Sequence, residues 1–458
     1  MDNFADYQNS VLEKWNSNEM YKLYDVNISQ NTLQKRFKFI DGPPFCTGNL
    51  HIGHVSIGTI KSTMLNYKSM MGYTCDNKLG YDCHGLPIES IANRELGINT
   101  LEDLDRIGIT RFNEFCKETI KKCERDWEPV YNRIGRWADF SNVYKTMDSG
   151  YMESVWWAFN QLYQQKRIYR GYKITPYSYA LQSPVSNFEA SQGYKDVDCR
   201  SAYVRFQINT IPESSPLFYL LVKPDSSDIY KYTIPDTYFI AWTTTPWTLP
   251  ANIALCINPK LEYDICEVEL ETTTTPSGIT NPEETQTNTT IQKCVYIMGK
   301  GTDKNIGVKI KSILATLFGR QLLGITYIPL FPTYSKLNRP DWFQIIGDSF
   351  VAHTTGNTGT DIVHLAPIFG NDDFRVCKEQ GLITDEIIPD IELIDNNCKY
   401  LSGTHLQIPS IIAGMLVFDA ETPIIKELKL QKTLVKIQQI RHEYPHCYRT
   451  DTPLVYRT

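Results

Sequence analysis

The chain has 458 residues, with 46 Lys+Arg against 52 Asp+Glu for a net charge of −6, and its 42% hydrophobic content excludes the disordered and collagenous classes. Mild acidity also excludes a protein that holds nucleic acid by bulk charge, so any RNA contact needs a local basic surface. No run approaches the ~18 apolar residues of a membrane-spanning helix, and the start MDNFADYQNS is polar and acidic where a secretory signal is basic and then apolar, so a soluble, cytoplasmic chain with no membrane partner is expected.

Leu12, Trp15, Met20 and Leu23 recur at helical spacing and predict a packing helix near the start. Phe37-Lys38-Phe39-Ile40 reads as a strand that Asp41-Gly42-Pro43-Pro44 must end, because the prolines fix φ and remove donors. From His51 to Met71, Ile52, Val55, Ile60, Met64 and Tyr67 fall three to five apart, predicting an amphipathic helix. Strand, turn and helix in this order open a doubly wound α/β nucleotide-binding sheet. A second strand-like stretch ends at Gly80-Tyr81-Asp82-Cys83-His84-Gly85, and ligands of such sheets bind beyond the carboxyl ends of strands, so both turns should face one crevice.

Leu101 to about Tyr172 reads as mainly helical, with Trp127, Trp137, Trp156 and Trp157 as expected core aromatics. From about Asp196 the chain becomes β-rich: SAYVRFQI, FYLLV, YFIAWT, IALCI and CVYIMG are short strands of a barrel or sandwich. Glu271 to Thr290 is Thr-rich with few apolar groups, expected as a flexible surface insertion. The β-rich region should run to about Ile394, and Ala420 to Arg441 reads as helical. The twelve cysteines include no C-x-x-C pair, which indicates neither a disulfide framework nor a thiolate zinc knuckle; buried free thiols are expected.

His51-Ile52-Gly53-His54 sets two imidazoles on one face at a helix start, beside the positive end of the dipole, an arrangement suited to a polyanion. Gly53 lets a base or phosphate approach the backbone. Alone this pattern is weak. Its setting strengthens it, because DGPPFCTGNLHIGH, GYDCHGLPIE, AWTTTPWTLPAN and GTDIVHLAPIFGNDD follow one another in order. In this order and spacing they resemble the class I aminoacyl-tRNA synthetases of the isoleucine, valine and leucine group. YKTMDSGYMESVWWAFNQLY, SPVSNFEASQGYKDV and FGNDDFRVC look like the isoleucine branch, of the eukaryotic cytosolic type.

The resemblance implies ATP-dependent activation of isoleucine, with Mg2+ accompanying ATP, and transfer to its tRNA. His51, Gly53 and His54 would form the catalytic motif at the ATP phosphates. Asp82 would hold the amino acid's ammonium, and Gly42 and Pro43 would line its pocket. Tyr81 stands where the family usually has Trp. The β-rich region resembles the inserted editing domain. One methylene in an apolar pocket is worth only about 1–3 kcal/mol, a rule of which the isoleucine enzymes are themselves the standard illustration, so mischarged valine needs a second, hydrolytic site. Thr243, Thr244, Thr245 and Asn252 would fix the terminal adenosine and a water, Asp373 would bind the ammonium, and His364 would exclude isoleucine by bulk. Asp361 stands where the family has G-T-G, and a positive φ there is costly for Asp.

The positions matching the family's zinc cysteines are Thr175, Ser178, Cys447 and Thr450, so no structural zinc is expected. No K-M-S-K-S sequence occurs, so the chain is expected to hold half of the ATP site. The expected organisation is the first half of a Rossmann-type catalytic domain over 1–195, a β-rich editing domain over 196–395 with the Thr-rich insert 271–290, and a return segment over 396–458. The partners implied are isoleucine, ATP, the isoleucine tRNA and a separate chain carrying the missing half. A valine enzyme, an editing-only deacylase or split subunit, and a truncated product that binds tRNA weakly are the alternatives.

Overall fold

The computed structural model describes residues 4–17, 35–98, 101–224, 232–233, 236–274, 288–354, 356 and 358–458. Two compact units divide the chain, Met1–Tyr169 and Arg170–Thr458.

In the first unit the strand Arg36–Ile40 pairs in parallel with Thr74–Lys78, and the helix Ile52–Met70 crosses between them. Gly80–Tyr81 pairs in parallel with Tyr144–Lys145. Leu79 and Tyr81 carbonyls accept from the amides of Tyr144 and Thr146, whereas the Asp82 amide donates to Pro44, so residues 74–82 run between two parallel neighbours on opposite edges. This is the expected opening of a doubly wound α/β sheet. The crossover helix buries Gly58, Ser62 and Leu65. A Cβ on Gly58 would stand 3.0 Å from the Ile134 side chain, so a small residue lets the helix seat there. Helix Ile109–Arg133 buries Phe112, Ile120, Cys123, Trp127 and Tyr131, one stripe at helical spacing.

The N-terminal helix spans Phe4–Ser17; Met20 and Leu23 lie outside the described residues. Trp127 is in the core and Trp137 is half-buried, but Trp156 and Trp157 are 70% and 66% exposed, contrary to expectation. Their helix, Ser149–Gln164, has no buried residue. Apolar periodicity marks a face that can be covered, and no described element covers this one.

The second unit is built on ten strands. Their hydrogen-bonded order is Ile310–Phe318, Glu262–Thr274, Asn288–Gly299, Thr237–Thr243, Tyr194–Thr210, Thr326–Tyr327, Gln344–Gly347, Ala254–Ile257, Ile362–Leu365. The tenth, Leu434–Pro445, pairs with Tyr194–Thr210. Thr237–Thr243 also lies against Ile362–Leu365, so six strands of the path curl back towards a barrel. The core runs through Val204, Phe206, Phe239, Leu255, Ile257, Ile345 and Leu365.

Three expectations are corrected. FYLLV is not a strand: Pro216–Leu221 is a helix, started by Pro216 and capped by the Ser215 hydroxyl. The helix after Ala420 stops at Leu430, and Leu434–Pro445 is a strand, because the exposed edge of Tyr194–Thr210 supplies a ladder that no local window contains. The Thr-rich stretch is extended at both ends, with Thr272 opposite Thr290 and Thr274 opposite Asn288, while 275–287 lies outside the described residues.

Candidate functional sites

In the first unit, the two turns that follow the strands lie edge to edge. Phe45 bridges Asp82 in parallel, and the Cys46 amide donates to the Asp82 carbonyl at 3.0 Å. His51 is the N-cap of helix Ile52–Met70: its Nδ1 accepts from the Gly53 amide at 3.1 Å, and its own amide donates to His54 Nδ1 at 3.4 Å, a reciprocal cap made from two imidazoles. The rings lie 4.0 Å apart. Burial lowers the His54 pKa, and proximity to His51 lowers it further. A Cβ on Gly53 would press on the His51 ring at 2.9 Å, so this glycine also serves the cap.

Two cavities flank Pro43. One of about 500 Å³ is lined by Gly42, Pro43, His51, His54, Lys61 and Arg136 among others. The other, about 360 Å³, is lined by Pro43, Asp82, His84, Thr146, Met152 and Trp156 among others. The D-G-P-P turn thus separates the paired imidazoles from the Asp82 carboxylate, which receives only long contacts, 3.4 Å from the Thr146 hydroxyl and 3.5 Å from the His84 amide. Tyr81 forms no part of this wall: it is fully buried, edge-on to Trp127, and its hydroxyl finds no partner.

Sequence reasoning missed the group beneath the turn. Asp41 is buried and pairs with both Lys61 and Arg136, the latter at 3.2 Å and only 1% exposed. Arg136 also donates to Asn77 at 2.9 Å, and the Tyr144 hydroxyl donates to the Asp41 carbonyl at 2.9 Å. Two cations on one carboxylate leave local positive charge at the wall of the larger cavity. Arg136 stands 95 residues from Asp41, and no spacing rule joins them.

In the second unit, Thr243 ends its strand and the helical turn Pro246–Ala251 follows at once. The Thr243 hydroxyl accepts from the Thr245 amide at 3.1 Å, and hydroxyls continue from Thr243 to Thr245 and from Thr245 to Thr248 at 3.4 Å each. Thr248 donates to the Thr245 carbonyl at 2.9 Å and stands 3.0 Å from His364 Nε2. With its single proton committed, Thr248 can only accept from the imidazole, which assigns the Nε2–H tautomer. His364 Nδ1 is then a buried lone pair with no partner. Burial lowers the His364 pKa to about 4, so the ring is neutral at physiological pH. Thr248 was missed because the T-T-T run before it drew the reading. Its signal was the four-residue step from Thr244 across Pro246.

Asp373 sits in the first turn of helix Asn371–Glu379 and accepts from the Ala366 amide at 2.7 Å, just beyond the strand that carries His364. Although the residue reaches the surface in part, crowding around the carboxyl raises its pKa to about 7, against the lowering effect of the Ala366 bond. The structure brings Thr243, Thr245, Thr248 and His364 together in one hydrogen-bonded line. Thr244 is half-buried beside it. Asn252 is engaged elsewhere: its amide donates to the Ala254 carbonyl at 2.8 Å and accepts from the Tyr327 hydroxyl at 2.7 Å, so it braces the pocket from the core. Among the described residues no three His, Cys, Asp or Glu side chains converge to hold a metal ion. Burial would raise the Cys447 thiol, but hydrogen bonds from Thr450, the Arg449 and Thr450 amides and Ser178 outweigh it and lower its pKa.

Residues 10–412 match the family model described as tRNA synthetases class I (I, L, M and V). The chain is 36% identical over 460 residues to a probable cytoplasmic isoleucine–tRNA ligase of Dictyostelium discoideum, covering 99% of this chain and 38% of that protein. It is 36% identical over 456 residues to the cytoplasmic isoleucine–tRNA ligase of Saccharomyces cerevisiae, again covering 99% and 38%. A crystal structure of the P. knowlesi cytosolic leucyl-tRNA synthetase editing domain matches at 12% identity and a TM-score of 0.32, over 53% of this chain and 96% of that one. The chain spans 38% of the length of these two curated relatives. No helix among the described residues is long and apolar enough to cross a membrane.

Proposed function

Because this chain belongs to the class I tRNA synthetases, we propose that it is part of an isoleucine–tRNA ligase, holding the first half of the activation site in one unit and a hydrolytic editing site in the other. Isoleucine, ATP with Mg2+ and the isoleucine tRNA are the substrates in this reading, and the cytoplasm is its location. On the activation side, the outward nitrogens of His51 and His54 would meet ATP phosphates at the helix N-terminus, where amide donors and the dipole favour anions. Asp82 would take the isoleucine ammonium across Pro43, so that carboxylate and phosphate are directed towards each other.

The observation that carries the hydrolytic part is the Thr245–Thr248–His364 line ending on an unpartnered, buried Nδ1, with Asp373 anchored two residues beyond His364. In this reading the valyl ammonium binds Asp373 and holds it ionised. The Nδ1 lone pair orients a water towards the ester carbonyl. With a pKa of about 4, His364 is too weak a base to do more than orient. Its ring also fills the space that isoleucine's extra methylene would need. Thr243 and Thr244 offer hydroxyls to the terminal ribose.

Hydrolysis of valine esterified to the isoleucine tRNA, followed with this chain at low salt, tests the reading. The valyl ester should be cleaved faster than the isoleucyl ester. Equal, uncatalysed half-lives for both esters at saturating protein would end it.

A further inference from the structure

Asp361 precedes the strand Ile362–Leu365 and holds φ at 56°, the left-handed region that ordinary residues avoid. It is also buried, at 4% exposure. Such a position is open to glycine without strain, and a carboxylate placed there must gain something in return. Both of its oxygens are used: Oδ1 accepts from the Thr354 amide at 2.8 Å, and Oδ2 takes the His353 Nδ1–H at 2.6 Å. The Asp361 carbonyl accepts from the Tyr263 hydroxyl at 2.9 Å. A Cβ on Gly299 would collide with the carboxylate, so the neighbouring strand makes room for it. Asp361 therefore ties the two ends of residues 353–361 together at the foot of the strand that carries His364.

What this fixes is register. His364 pairs with Leu255 and Ile362 with Ile257. Side chains alternate along a strand, so a slip of one residue would turn His364 away from Thr248. The strand is four residues long and has few ladder bonds of its own to resist such a slip.

We propose that Asp361 is a positioning residue of the hydrolytic pocket, a latch that holds His364 in the register facing Thr248. The inference rests on the editing reading and extends it to a residue outside the pocket. It is tested with Asp361→Gly, which adopts the same φ freely but has no carboxylate, and Asp361→Asn, which keeps an oxygen for the Thr354 amide. Amide exchange over residues 350–361 and hydrolysis of valyl- and isoleucyl-tRNA are measured for each full chain. In Asp361→Gly exchange should quicken, and the preference for the valyl ester should fall on the order of tenfold, mainly through kcat. Asp361→Asn should lie between it and the parent. An active parent whose ester preference and exchange are both preserved in Asp361→Gly overturns the latch alone, whereas a parent that cleaves neither ester overturns the editing reading and the positioning role with it.

Discussion

Replacing Asp373 with Asn should make the protein more stable at neutral to alkaline pH while slowing the hydrolysis that Asp373 serves. The carboxyl is moved from 3.8 to about 7 chiefly by burial. At about 1.4 kcal/mol per factor of ten, that penalises the ionised form in the folded state by roughly 4 kcal/mol at most. Partial exposure of the residue reduces this to an expected 2 kcal/mol or so. Because the folded pKa lies above the unfolded one, the stability contributed by the protonated form is complete below about pH 4 and is lost as pH rises through about 7. His364 works in the opposite sense, since its folded pKa of about 4 makes stability fall as pH drops below 6.5. The two effects overlap between pH 4 and 6.5, so the difference between parent and Asp373→Asn isolates the carboxyl. Asn can keep the Ala366 bond, and the substitution leaves no orphaned donor at the amide. Urea unfolding of the two proteins at pH 5 and pH 8 reads the effect. The variant should gain about 1 kcal/mol relative to the parent between these pH values, since part of the loss is already complete at pH 5. An equal or larger loss of stability at pH 8 in the variant would show that the carboxylate is paired in the free protein, and the ammonium-binding role would lose its physical basis.

His364→Ala removes the lone pair that orients the water and so should slow valyl-tRNA hydrolysis, while it opens the pocket to the isoleucyl ester, so the ratio of the two ester rates should fall towards one; a ratio unchanged from the parent would contradict the bulk argument. Thr248→Val removes the acceptor for His364 Nε2 while keeping shape, and should slow valyl-tRNA hydrolysis about tenfold or more; because it orphans a buried N–H it should also cost about 1–3 kcal/mol of stability, read as a fall in melting temperature. Arg136→Met breaks a buried pair with Asp41 and should cost the first unit about 3 kcal/mol, with a matching shift of the urea midpoint. A loss well below 1 kcal/mol would mean that Lys61 alone satisfies Asp41.

The sequence made the site's contiguous pieces legible and hid its assembled ones. D-G-P-P and H-I-G-H are local, because a proline turn and a helix start are decided within a few residues, and the pairing of Arg36–Ile40 with Thr74–Lys78 follows from the crossover between them. The T-T-T segment and His364 were found as motifs, yet the hydroxyl line joining them depends on Thr237–Thr243 lying beside Ile362–Leu365, which only the closed sheet provides. Asp41, Lys61 and Arg136 come from a turn, a helix and a loop far apart in the chain, and none is unusual in its own window. Trp156 and Trp157 failed in the other direction, since apolar character was read as burial. The helical reading of Ala420 to Arg441 overruns into the strand Leu434–Pro445 because a strand is specified by its partner, and this partner lies more than two hundred residues earlier.

That partnership bears on how the protein is made. Tyr194 pairs with Pro445, a separation of 445 − 194 = 251 residues. Closing a loop of that length costs roughly 5 kcal/mol in chain entropy before any contact rewards it. On the ribosome, residues 194–201, whose one ladder partner among the described residues is Leu434–Pro445, would wait unpaired until that strand had been synthesised. A bare edge is a template for association with another chain. The alternating charged and polar residues near the start of that strand, Lys195, Asp196, Asp198 and Arg200, stand where the wait is longest. They disfavour mispairing during synthesis. Neutralising them should therefore lower the yield of soluble protein more than it lowers the stability of what folds.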